Sequence, residues 1–257
     1  MNVALSTFLL FIFLLPGIVF RRFYYTEQFS KEYFKQTFWE VFLSTLIPSL
    51  IIQIIWFFLV QLFGYKVDLL IIGNLLSENP QPSTFENLQN NSLEILVYHL
   101  TIFTFSSLTG YYLKYFIRNN KLDRKYKLLR FKNNWHYILS GEFFDFPKSS
   151  YDLTKDKPEK IDYIFIDALV QTKEGTIIYE GIFFGYELSD KLGLDTITLR
   201  EVRRRKLQDD YSNKKSKYYH IPGHILVLKY SEIINLNFSY YKLDITQDNK
   251  VVPVLIE

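Results

Sequence analysis

The stretch VALSTFLLFIFLLPGIVF, residues 3–20, closed at once by Arg21-Arg22, decides how this chain is read. It is uncharged and close to the ~20 residues that an α-helix needs to cross a ~30 Å hydrocarbon core. No Lys or Arg precedes it, and the basic pair follows it, which is the reverse of a secretory leader. The stretch therefore reads as a membrane span whose N-terminus lies outside. Pro16-Gly17 falls within it. A proline in a lipid-embedded helix frees a backbone carbonyl, so a kink packed against a neighbouring helix is expected there.

Working outward, two further apolar stretches of spanning length occupy 38–63 and 93–117. Segment 67–76 is too short to cross and reads as re-entrant or interfacial. Charge sets the orientation. Loop 64–92 holds one basic residue, Lys66, against Asp68, Glu78 and Glu86. Segment 21–36 carries Arg21, Arg22, Lys31 and Lys35, and a denser set starts at Lys114 and Arg118. Three crossings put both basic segments on the cytoplasmic side; a fourth would strand the denser one outside. The sequence thus predicts a multi-pass inner-membrane protein with its C-terminal part in the cytoplasm.

Among 257 residues, 48% are hydrophobic and 18% aromatic, but the average conceals two unlike halves. We divide the chain into a transmembrane domain, 1–117, a basic juxtamembrane linker, 118–140, and a mainly-β cytoplasmic domain, 141–257. With no cysteine, disulfides and thiolate metal sites are excluded. Abundant Lys, Asn, Ile, Phe and Tyr fit an AT-rich bacterial genome.

Polar groups in the spans are candidates for helix packing or for lining a pore: Gln53 and Gln61 in the second, His99, Ser106 and Gly110 in the third, with Pro16 and Gly17 in the first. Ser106-x-x-x-Gly110 is a small-xxx-small pair that permits close helix approach. No acidic residue or basic series lies at a span centre, which disfavours proton-coupled transport and voltage sensing. The linker cations Lys121, Arg124, Lys125, Lys127, Arg130 and Lys132, with Trp135 as an anchor, are read as contacts to anionic lipid.

Beyond residue 161 the pattern turns to short strands: 164–172, a turn at Lys173-Glu174-Gly175, a return over 176–186, then 196–202, 225–230 and 233–238. Segment 139–146 fits either a strand or a short helix. Ala168-Leu169-Val170-Gln171-Thr172-Lys173-Glu174-Gly175, followed by Tyr179-Glu180-Gly181-Ile182-Phe183, resembles the first signature of Sm-like and related SH3-like barrels. Ile221-Pro222-Gly223-His224-Ile225-Leu226-Val227 is similar to the second. The resemblance implies a small β-barrel. Gly175 and Gly181 stand one residue further apart than is usual in Sm proteins. Pro222 replaces the Arg of RNA-binding members, so the likeness implies the fold rather than an RNA site. The layout as a whole resembles poorly characterised bacterial inner-membrane proteins, some of them membrane subunits of antiphage defence systems.

Catalytic signals are sparse. His220-x-x-x-His224 encloses Pro222-Gly223, which denies it a helix, and Asp209-Asp210, Asp190 and Asp195 read as solvated turn acids. No phosphate loop, dinucleotide motif or nucleophile elbow is found. No metal or cofactor is expected. The main charge feature is Arg200, Arg203, Arg204, Arg205 and Lys206, with Lys214, Lys215 and Lys217, read as a basic loop that is solvated or meets an anionic partner. Few aromatics interleave with it, which disfavours nucleic acid. The expected function is a non-enzymatic membrane anchor or scaffold that self-associates and recruits or regulates a soluble partner. The alternatives are an oligomeric membrane-perturbing channel and, third, a membrane-bound enzyme.

Overall fold

A computed structural model describes residues 3–29, 37–77, 81–147, 149, 153, 156–173, 175–189, 193–211, 218–246, 248 and 250–257. Lys31, Lys35, Glu78, Glu174, Asp190, Lys214, Lys215 and Lys217 lie outside the described residues. The chain forms two compact units, Met1–Lys121 and Leu122–Glu257.

The first unit is helical: α1 (Val3–Tyr24), α2 (Phe38–Leu62), α3 (Leu69–Leu76), α4 (Pro82–Asn90) and α5 (Ser92–Asn119). Three of these, α1, α2 and α5, are long and apolar enough to span a bilayer. The eight residues of α3 rise only ~12 Å, well short of the hydrocarbon thickness. A capping box starts α2: Thr37 Oγ1 accepts from the Glu40 amide at 3.3 Å, and Glu40 Oε2 accepts from the Thr37 amide at 3.0 Å.

Contacts between helices fix their directions. Gly17 of α1 lies against Thr45 and Ser49 of α2, and Arg21 donates to the Ser44 hydroxyl, so these helices run antiparallel. Gly110 of α5 lies against the Phe20 carbonyl, and Lys114 Nζ reaches Thr26 Oγ1 at 2.7 Å and Glu27 Oε2 at 2.9 Å, so α5 runs parallel to α1. Arg21, Arg22, Lys114 and Arg118 consequently share one end, ringed by exposed Trp39, Tyr111, Tyr112 and Tyr115. That is the cation-and-aromatic pattern of a membrane interface. Only 17–22% of the most apolar window of each long helix is buried within the chain, so most of this surface needs lipid or further helices to cover it.

The second unit begins with a helical collar: α6 (Leu122–Lys125), a 3-10 turn at Lys127–Leu129, α7 (Asn134–Leu139) and another turn at Glu142–Asp145. Residues 122–140 thus fall within the second unit, and of the two readings of 139–146 the helical one holds, as the end of α7 and a 3-10 turn. The strands are β1 (Tyr163–Thr172), β2 (Gly175–Leu188), β3 (Leu194–Lys206), β4 (Tyr219–His220), β5 (Leu226–Lys229), β6 (Ile233–Ile245) and β7 (Val251–Leu255). They form one antiparallel sheet of order β4-β3-β2-β1-β6-β7, with β5 also on β3. The sheet is a curled half-barrel, with free edges at β7 and at β4 and β5, compatible with the small barrel expected. Alternation on β1 builds the core: Ile164, Ile166, Ala168 and Val170 point inward onto Ile197, Leu199, Val202, Leu228 and Tyr240.

One irregularity of the sheet lies where the resemblance placed a second glycine. The β2–β3 register slips between Glu180 and Ile182, and Glu201 opposite takes φ 53° as the extra residue of a bulge. A Cβ on Gly181 would lie 2.9 Å from the Arg200 carbonyl oxygen, so only glycine fits. The collar is tied down by Tyr240, whose hydroxyl donates to the Ile138 carbonyl at 2.9 Å and whose ring packs on Phe144 at 5.1 Å. At the C-terminal end, Lys242 Nζ meets Asp156 Oδ1 at 2.8 Å. This bond holds the Asp156 carboxyl below its ordinary 3.8 and raises Lys242.

Candidate docking face of the β domain

The basic cluster read as a loop is a strand. Arg203, Arg204, Arg205 and Lys206 continue β3 and pair with Glu180, Tyr179, Ile178 and Ile177 of β2. Arg200 pairs with Ile182. The strand persists because its neighbour supplies a ladder and an apolar surface, although its own side chains are charged.

Directly paired residues share a face of the sheet. The register therefore sets His220, Arg203, Glu180, Asp167 and Asn237 in one row, across β4, β3, β2, β1 and β6, on the face away from the core. Arg203 Nη2 bonds Glu180 Oε1 at 2.9 Å, and Asn237 Nδ2 donates to Asp167 Oδ2 at 3.1 Å. Tyr218 lies beside this row. Arg205 Nε donates to its hydroxyl at 2.6 Å, and the Arg203 and Arg205 guanidinium carbons stand 5.4 and 5.2 Å from its ring centre. Burial, seconded by the Glu180 carboxylate, pushes the Tyr218 hydroxyl above its ordinary value. Glu180 was not among the candidate residues. Only the register, which residue spacing does not disclose, brings it under Arg203.

The cluster accordingly divides. Arg203 and Arg205 are held by Glu180 and Tyr218, whereas Arg200, Arg204 and Lys206 are exposed and form no ion pair among the described residues. By the same register Arg200, opposite Ile182, lies on the face of the row, whereas Arg204 and Lys206, opposite Tyr179 and Ile177, lie on the other face of the strand. The ladder fixes the backbone that carries all three, so less chain freedom is lost on contact than from a loop. On the face of the row and of Arg200, Leu243, Ile245, Val251 and Leu255 are exposed on the β6–β7 ribbon. The Leu243 amide donates to Asp162 Oδ2 at 2.6 Å, away from its partner Pro253, so Pro253 directs its missing N–H to the free edge. That interruption blunts β7 against strand addition and leaves side-chain faces for contact.

His220 and His224 are exposed, on β4 and in the turn after Gly223, and Asp209 lies in the turn Leu207–Tyr211. Among the described residues no three His, Asp or Glu side chains converge on a cation site.

The polar residues of the helices mostly satisfy themselves. His99 Nδ1 donates to the Ile95 carbonyl at 2.8 Å and Ser106 Oγ to Ile102 at 2.7 Å. Gln53 Oε1 accepts from the Tyr98 hydroxyl at 3.3 Å, while Gln61 is exposed. Pro16 lies inside α1, and the Ser49 hydroxyl of α2 donates to the Phe13 carbonyl.

The linker cations also separate. Lys121 closes α5 at φ 54°. Arg124 is buried in the β unit, with Nη2 2.9 Å from Glu142 Oε1 and Nη1 2.7 Å from Asp145 Oδ2. The Arg130 guanidinium stacks 3.5 Å from the Phe146 ring centre. Trp135, read as a membrane anchor, instead packs against Tyr230 at 5.4 Å on the edge of the core. Lys125, Lys127 and Lys132 remain exposed. No protein-family model, curated protein or solved structure matches the chain, so its function is argued from its own residues.

Proposed function

We propose that this chain is a non-enzymatic membrane anchor that docks a soluble, acidic protein on its β domain. In this reading α1, α2 and α5 cross the inner membrane of a bacterium with the N-terminus outside, self-associate through uncovered apolar faces, and hold the β domain in the cytoplasm. The observation that carries it is the exposed trio Arg200, Arg204 and Lys206 at the end of β3, without an ion pair among the described residues, while Arg203 is paired with Glu180 and Arg205 is held by Tyr218. A protein with an acidic face complements them, and the apolar β6–β7 ribbon adds contact area. The order β3-β2-β1-β6, with the 3-10 turn Tyr230–Glu232 between β5 and β6, supports kinship with small barrels of the Sm and SH3 kind. Antiphage defence is the setting that the layout suggests.

The test is charge reversal in the full-length protein. Arg200→Glu, Arg204→Glu and Lys206→Glu together should abolish stoichiometric co-purification of one soluble protein from the native host. Membrane insertion should stay intact, and Lys173→Glu on the β1–β2 turn should have no effect. Co-purification that is indifferent to the triple reversal would contradict the assignment.

A further inference from the structure

The turn after α6 joins two features that rarely meet on a soluble surface. Leu128 is 94% exposed and Tyr126 51%. Lys125, Lys127 and Lys132 around them are also exposed and form no ion pair among the described residues. A single bare leucine is unremarkable on a protein surface. Here, however, it crowns a tip whose base is fixed. Arg130 beneath it stacks on Phe146 and bonds the Asp123 and Arg124 carbonyls at 3.5 and 3.4 Å. Tyr137, itself 1% exposed, donates to Asp123 Oδ2 at 2.8 Å and accepts from the Phe131 amide at 3.2 Å. The buried groups of the segment thus hold its outward groups in place. Nine residues link Leu128 to Asn119, the last residue of α5, a tether of at most ~30 Å even if fully extended.

We infer that this turn is a second, peripheral membrane contact: Leu128 and Tyr126 enter the interfacial layer of the bilayer, and Lys125, Lys127 and Lys132 bind anionic headgroups. The chemistry is that of an interfacial anchor, an apolar and aromatic tip flanked by lysines. The charge complements an anionic leaflet. The inference rests on the membrane reading above and sharpens it, because Arg124, Arg130 and Trp135 take no part in the contact.

The natural chain has no cysteine, so single reporters are straightforward. The environment-sensitive dye NBD is attached to Leu128→Cys, Ile54→Cys or Phe184→Cys in the full chain, reconstituted in vesicles of phosphatidylcholine and phosphatidylglycerol. Ile54 reports the middle of α2, and Phe184 an exposed site on β2. The expected result at 128 is blue-shifted emission, quenching by a shallow spin-labelled lipid, and iodide quenching severalfold weaker than at 184. Lys125→Glu, Lys127→Glu and Lys132→Glu together should restore iodide quenching at 128. If 128 is quenched by iodide as strongly as 184 while 54 stays in lipid, the anchor is wrong and the membrane reading stands. Shielding from both iodide and lipid quenchers would assign Leu128 to a protein contact and overturn the inference. Iodide access at 54 would overturn the membrane reading itself.

Discussion

Arg124→Ala should destabilise the β domain by ~3 kcal/mol or more. The guanidinium is buried among Glu142, Asp145 and, at 4.0 Å, Glu159. The Glu142 and Asp145 side chains are only 13% and 22% exposed. Removing the cation takes from two poorly solvated carboxylates the guanidinium that they share, and breaking a buried pair in this way typically costs ~3–5 kcal/mol. Their partial exposure places the effect near the low end of that range. Since a domain of this size is stable by only ~5–15 kcal/mol, the loss takes much of the margin. Thermal unfolding of the purified full chain, followed by the β signal in circular dichroism, should show the transition lowered by many degrees. Lys125→Ala and Lys127→Ala, on exposed neighbours, should leave it in place. An unchanged transition in Arg124→Ala would return this residue to the lipid-binding set.

The second large effect belongs to the helices. A Cβ on Gly17 would lie 2.3 Å from the Thr45 carbonyl oxygen, and one on Gly110 would lie 2.4 Å from that of Phe20. Both obstacles are backbone, which cannot swing aside as a side chain can. Helix association in lipid draws heavily on close packing, so separating α1 from α2 or α5 removes the main contact. Gly17→Leu and Gly110→Leu should each cost ~3 kcal/mol, the upper part of the range for overpacking. Titrating mixed micelles with denaturing detergent should unfold both variants earlier than the parent. Gly73→Ala, where nothing lies within 4 Å of the added carbon, is the control and should behave as the parent.

What was legible in the sequence follows from which signals are local. Long apolar stretches and flanking charges are local, and 3–20, 38–63 and 93–117 emerge as α1, α2 and α5 with only small shifts at their ends. The alternation of β1 and the turn at Gly175 are local too. The rest depends on partners. Arg203–Lys206 looked like a loop because a charged run has no inward face of its own; β2 supplies the ladder. β7 was missed because Pro253 argues against a strand, although an edge strand accepts proline where no donor is needed. Arg124 was placed on the lipid because its acidic partners lie 18 to 35 residues further along the chain. The cation trio on β3 was legible as charge, while its separation from Arg203 and Arg205 depended on Glu180 and Tyr218.

In a chain divided between membrane and cytoplasm, the α2–α5 loop and the β domain face opposite sides of the bilayer. Phe85→Cys, on α4 in loop 64–92, and Phe184→Cys, on β2, are both exposed sites in a cysteine-free chain. In intact bacterial spheroplasts, a membrane-impermeant maleimide should label Phe85→Cys at once and Phe184→Cys only after the membrane is permeabilised. Labelling of Phe184→Cys in intact spheroplasts, or protection of Phe85→Cys there, would contradict that division.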